Sequence, residues 1–436
     1  MTAAVVSRDI PRPSPALVRN AAALMTSTVT SGVLTFGFWV VAARWFPADT
    51  VGRVSAMAAA MALLAALAQL NLVSLYARFL PRAGNRTRRL VLSGYGASAA
   101  MSIILTAGFF LLGLSTGLVG GDLLTRLVFT SAVIASAIFF IQGSVLTALG
   151  RAMWVPAING VTAAARLALL PLLAGAGTAA AGAVLSAWAV PVVVSTLAVT
   201  WWVAARGAPA HAGSHTPAPS TDRREVLGFA SAEYVNGMIT NAVAFLPPVL
   251  VAAALGPVQG AYFYLPWLVG VSVVTLLWNV VTSFVVEASR DGTQARAHLN
   301  RMIGLVLAVV VPGGLVLTFA ATPLLGLLGP DYAAHGATPL RLIGLSLPFA
   351  AIVLLFSAFS VMEKRMWRLV AVQGSGALML FAGIWLGLPR FGIDAPAAAL
   401  LGSQAVVALV LLPTLIRKYR ETGTARLAPQ WSLESA

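Results

Sequence analysis

Residues 206–225 read RGAPAHAGSHTPAPSTDRRE, the only long polar segment in a chain that is otherwise nearly all apolar. Pro, Gly, Ser and His dominate its middle, so it cannot bury enough apolar surface to fold alone. Arg206, Arg223 and Arg224 mark its ends. It lies just short of the chain midpoint, and the residues before it resemble the residues after it. The expected organisation is therefore a flexible cytosolic tether, 206–225, between an N-lobe, 20–205, and a C-lobe, 226–416. An N-terminal arm, 1–19, and a polar tail, 417–436, complete the chain.

The 436 residues are 59% hydrophobic and 9% charged, with mean hydropathy +0.89. A soluble domain carries about 25% charged residues, so an all-α polytopic membrane protein is expected. The net charge of +15 has a topological reading, because basic residues collect in cytosolic connections. No nucleic-acid partner is expected. The chain has no Cys, which excludes disulfides, thiol catalysis and thiolate metal sites. Two of its four His lie in the tether, a poor setting for a metal, and no metal or cofactor is expected.

Hydropathy marks twelve segments long enough to cross about 30 Å of hydrocarbon: 20–43, 53–79, 89–116, 123–149, 155–175, 179–204, 228–254, 261–287, 300–328, 340–362, 367–388 and 395–416. With the N-terminus inside, 22 of the 28 Arg and Lys fall on the inner side and 5 on the outer. Arg166 remains within the fifth segment. A wrong count would scramble that bias, so twelve spans with both termini cytosolic are expected. No outer connection exceeds about a dozen residues on these bounds, which leaves no room for the outer catalytic loop of a membrane glycosyltransferase. The expectation is a protein that is not an enzyme.

The halves repeat. At a shift of 208 residues Gly52 meets Gly260, Asn71 meets Asn279, Arg82 meets Arg290 and Arg88 meets Arg296. At a shift of 213, Met153-Trp154 meets Met366-Trp367. Six spans per half means that the halves run in the same sense, related by an axis along the membrane normal.

Polar residues inside spans are costly and tend to face an interior. Asn71, Ser74 and Arg78 share one face of the second segment. Ser272, Thr275, Asn279 and Ser283 share one face of the eighth, and Glu233, Asn236 and Thr240 one face of the seventh. Asn20, Ser27 and Ser31 line the first, flanked by Thr28 and Thr35. The first, second, seventh and eighth segments are therefore expected to wall one cavity. The bland reading is that the hydroxyls bond back to their own helices. Glu233 is either an acid favoured near a helix N-terminus or a cavity acid for a cation or proton. Arg78, Arg44, Arg53 and Arg166 are either surface or structural cations or contacts for an anionic headgroup. Pro247-Pro248 interrupts the seventh segment's hydrogen bonding.

The stretch 42–82, AARWFPADTVGRVSAMAAAMALLAALAQLNLVSLYARFLPR, resembles the first-repeat signature of MOP-superfamily flippases of the polysaccharide-transporter (Wzx-like) branch. Arg44, Pro47, Gly52, Arg78 and Pro81 carry the likeness. VAAALGPVQGAYFYL, 251–265, resembles the second-repeat copy, and ALGRAMW, 148–154, the turn between spans four and five. The resemblance implies a MATE/MOP-like, two-lobed alternating-access transporter in the bacterial cytoplasmic membrane. It implies as cargo an undecaprenyl-pyrophosphate-linked oligosaccharide, with membrane lipids, a polysaccharide polymerase and glycosyltransferases as partners. Coupling to an H+ or Na+ gradient is compatible with it. The multidrug branch usually carries an acid in the first span; residues 20–43 contain no Asp or Glu. A cation-coupled small-molecule exporter stays as the alternative, with Glu233 as its coupling acid.

Overall fold

A computed structural model describes residues 15–113, 119, 123–175, 180–212, 223–288, 295–363 and 365–424. The first half runs α1 (Pro15–Trp45), α2 (Ala48–Ala68), α3 (Leu72–Phe79), α4 (Thr87–Leu111), α5 (Leu123–Ala148), α6 (Trp154–Gly175) and α7 (Ala180–Trp202). A π-helical turn, Val203–Gly207, leads to the short α8 (Ala208–Ala212). The second half runs α9 (Arg223–Leu255), α10 (Pro257–Ala288), α11 (Ala295–Phe319), α12 (Ala321–Gly326), α13 (Pro330–Met362), α14 (Met366–Phe391) and α15 (Asp394–Thr424). Among the described residues there is no strand, and eleven helices are long and apolar enough to cross a membrane. The expected first span falls on α1, whose 31 residues exceed the roughly 20 that a crossing needs, but α1 is not among those eleven.

The packing repeats as the sequence does. In the first half α1 lies on α6, α6 on α7, α5 on α7, α2 on α5 and α4 on α5. In the second half α9 lies on α14, α14 on α15, α13 on α15, α10 on α13 and α11 on α13. Each of these contacts in one half has its counterpart, span for span, in the other. The lobes meet through α2 against α9 and α10, and α1 against α10. These are the four spans expected to wall a cavity. The central helix is α2, ADTVGRVSAMAAAMALLAALA, with 78% of its apolar window buried. Its alanines let neighbours approach closely on every side, as small residues do where helix packing replaces the hydrophobic drive.

Four expectations are corrected. The second span is two helices, α2 and α3, not one. The ninth ends at Phe319 and continues as the separate α12. The tenth begins at Pro330 rather than at 340. The tether is shorter than 206–225: Arg206–Ala212 continue the sixth span as helix and Arg223 opens α9. Only 213–222 remain, and they lie outside the described residues. The bundle thus has a basic face, carrying Arg86, Arg88, Arg89, Arg151, Arg206, Arg365 and Arg420, and an opposite face with the turns after Trp45, Leu255 and Phe391.

Candidate functional site

The second span breaks without Gly or Pro. Leu70 and Asn71 take φ of 51° and 55°, the left-handed region. Asn tolerates this through its short polar side chain; Leu does not, at about 1–2 kcal/mol. In an unbroken helix the Leu67 carbonyl would accept from the Asn71 amide. The break removes that donor, and the hydroxyl of Tyr234, from the other lobe, donates to Leu67 O at 3.1 Å instead. The adjacent Glu233 accepts from Ser74 Oγ at 2.7 Å and from Asn71 Nδ2 at a longer 3.4 Å. Three of the sequence-predicted site residues, Asn71, Ser74 and Glu233, are therefore brought together, and Tyr234 joins them.

Asn236 stands one turn beyond Glu233 on α9, and its Oδ1 is buried with no hydrogen-bond partner among the described residues. Thr240 donates to the carbonyls of Asn236 and Gly237, and Ser272 and Thr275 to those of Leu268 and Val271. For these hydroxyls the self-bonded arrangement holds. Asn279, half-buried, lies inside the continuous α10, so the counterpart of the break at Asn71 is regular helix. The side chains of Arg78 and Ser283 lie outside the described atoms. Pro247 and Pro248 are buried within α9. Pro248 has no amide hydrogen for Ala244 O, and Trp267 Nε1 of α10 donates there at 2.8 Å.

On the opposite face the lobes also touch. A Cβ on Gly52 would lie 1.7 Å from Pro257 O, so α2 and α10 meet backbone to backbone. Arg44 donates across to Leu327 O at 2.8 Å and Gly326 O at 3.2 Å, capping the end of α12. Arg53 pairs with Asp49, four residues earlier, at 2.6 Å on the surface.

Arg166 marks a second feature. A cavity of ≈ 350 Å³ opens within the N-lobe between α1, α5 and α6. Ser31, Thr35, Gln142, Asn159, Thr162 and Arg166 supply its polar lining, which contains no Asp or Glu among the described residues. Arg166 lies with its guanidinium carbon 3.8 Å from the centre of the Trp188 ring, and its Nε donates to Trp188 O at 3.1 Å. That holds one edge and one face of the guanidinium. Gln142 is 3% exposed, and its Nε2 donates to Thr196 O at 2.9 Å. Its Oε1, like Ser31 Oγ, is buried without a partner among the described residues.

A second cavity, of ≈ 30 Å³, lies in the C-lobe between α9, α13, α14 and α15. It is lined by Val243, Val372 and Leu380 together with the polar Gln373, Ser403 and Gln404. By the 213-residue shift, Val372 replaces Asn159 and Met379 replaces Arg166. At the positions of Asn159 and Arg166 the helix packing repeats and the side-chain polarity does not. Sequence reasoning named Ser31, Thr35 and Arg166 but missed Gln142, Asn159 and Thr162. A signal was available, since Asn159, Thr162 and Arg166 stand at i, i+3 and i+7.

No family model matches the chain, and no curated protein does. Solved structures do. An inward-facing multidrug resistance MATE family transporter of the MOP superfamily matches with TM-score 0.66 at 13% identity, over 91% of this chain and 96% of that one. The lipid II flippase MurJ in an inward closed conformation matches with TM-score 0.66 at 13% identity, over 93% and 90%. A MOP superfamily transporter from Pyrococcus furiosus, described as having a binding pocket of reverse polarity that suggests a different function, matches with TM-score 0.63 at 13% identity, over 94% and 96%. The chain has the two-lobed fold shared by MOP-superfamily transporters.

Proposed function

We propose that this protein is a flippase that carries a lipid-linked oligosaccharide with an anionic, pyrophosphate-type headgroup across the bacterial cytoplasmic membrane for surface polysaccharide synthesis. The observation that carries this reading is the N-lobe cavity, whose charged lining residue is Arg166 and whose described lining has no carboxylate. A cation in a span without a counter-ion costs about 3 kcal/mol on insertion scales. An anionic cargo recovers that cost, and a guanidinium binds phosphate at two points. A cationic drug would meet repulsion there. Amide and hydroxyl groups at Asn71, Ser74, Asn236, Thr240, Asn279 and Ser283 suit sugar hydroxyls, which both donate and accept.

In this reading the basic face is cytosolic, as are both termini. The lipid tail stays in the bilayer while the lobes rock about the shared interface. The protein works as a transporter with no chemical step. Glycosyltransferases would supply the cargo and a polymerase would consume it.

One observation favours the cation-coupled exporter instead: Glu233 lies in the seventh span at the lobe interface, placed to bind H+ or Na+. Thermal stabilisation of the purified protein separates the two, since a ligand that binds only the folded state raises its melting temperature. An undecaprenyl-pyrophosphate-linked oligosaccharide should stabilise the wild type and lose most of that effect in Arg166→Gln. Stabilisation by a cationic dye, with none by the lipid, would reverse the assignment.

A further inference from the structure

The break in the second span serves a purpose that its own lobe does not explain. The counterpart α10 passes through Asn279 as regular helix, so the repeat does not require a break at Asn71. Neither Leu70 nor its neighbours include Gly or Pro, so no local signal forces one. Residues on both sides of the break are held by two consecutive residues of the other lobe. Tyr234 takes Leu67 O on the α2 side, and Glu233 takes Ser74 on the α3 side and Asn71 at the break itself.

The contacts at the two faces differ in kind. On the opposite face the lobes meet through backbone at Gly52 and Pro257 and through an arginine on carbonyls. Toward the basic face they meet through side-chain hydrogen bonds that a rotamer change can release. In its own lobe α3 also packs on α5, so it has a seat of its own when the cross-lobe bonds are gone.

We propose that Glu233 and Tyr234 are positioning residues of the transport cycle, a latch across the lobes that keeps the basic face shut. Leu70–Asn71 is the hinge about which α3 moves when the latch opens. The strained backbone is held only while the latch is made, so releasing the latch lets the hinge relax and biases the lobes apart. This inference does not depend on which cargo is carried.

The test uses the full chain, which lacks native Cys. Spin labels at Asn85→Cys and Arg420→Cys, exposed on the basic face of the two lobes, report their separation by pulsed electron resonance in nanodiscs. The wild type without cargo should give mainly a short distance. Tyr234→Phe should shift the closed-to-open ratio about fivefold toward open, the factor expected for one neutral hydrogen bond. Glu233→Gln should shift it by roughly tenfold or more, since it weakens bonds to a charged group. Tyr234→Phe removes a single oxygen and decides the matter alone if Glu233→Gln does not fold. Unchanged distances in Tyr234→Phe, or a wild type already open on this face, would overturn the proposal.

Discussion

Arg166 lies 3.8 Å over the ring of Trp188 and bonds the carbonyl of the same residue, so one residue fixes both the plane and the edge of the cavity's cation. Trp188 in turn packs on Trp39 at 5.3 Å, and Trp39 on Tyr264 of the C-lobe at 5.0 Å. The cavity cation is thereby seated on an aromatic column that ends in the opposite lobe.

Lysine cannot reproduce that seat, because it lacks the planar fork and stacks less well. Arg166→Lys is therefore expected to fold normally and lose transport by about tenfold or more, while Trp188→Leu gives a similar loss through a misplaced Arg166. A desolvated cation–π contact is worth about 2 kcal/mol, which sets the scale. Transport assays run beside melting curves check this; equal transport in Arg166→Lys and wild type would remove Arg166 from the binding group.

Gly52 tests the opposite face. Its Cβ would fall 1.7 Å from Pro257 O, and backbone cannot yield as a flexible side chain can. Gly52→Ala is expected to cost about 1–3 kcal/mol, the usual range for overpacking. Gly160→Ala, where a Cβ meets nothing within 4 Å, is the control and should be neutral or stabilising by up to about 1 kcal/mol. Thermal unfolding in detergent reads both.

Leu70 tests the strain. Glycine adopts its φ of 51° without penalty, whereas a β-branched side chain suffers more than Leu. Leu70→Gly should raise stability by about 1 kcal/mol, and Leu70→Ile should lower it. If Leu70→Gly instead destabilised strongly, the left-handed turn would not be the source of strain.

The spans were legible because about 20 apolar residues in a row leave little alternative, and the repeat was legible because Gly52 and Gly260 keep their spacing. Asn71, Ser74 and Glu233 could be singled out as polar residues in apolar helices, where each must find a partner. That they find one another could not, since the pairing joins residues 159 and 162 apart in sequence. The break was invisible for a physical reason: Leu70 has no left-handed preference, and tertiary bonds from Tyr234 and Glu233 impose it. The N-lobe cavity was half visible. Arg166 stood out by charge, but Gln142 is a lone amide in α5, and only the packing of α5 on α7 gives it its partners, Thr196 and Thr200.

The basic face sets the topology. In a chain without native Cys, Ser214→Cys should react with an impermeant thiol reagent only after the cells are opened. Reaction in intact cells would place the basic face outside and invert the proposed direction of transport.

The central claim is that the cargo is an anionic lipid-linked glycan. The most direct measurement is the leaflet distribution of that lipid in cells where this protein is the only flippase. Wild type should keep the inner leaflet clear and sustain surface glycan, Arg166→Gln should let the lipid accumulate inside, and the double change of Asn71 and Asn279 to Leu should do so with normal insertion. Inner-leaflet accumulation despite abundant wild-type protein, together with export of cationic dyes down a proton gradient, would contradict the account.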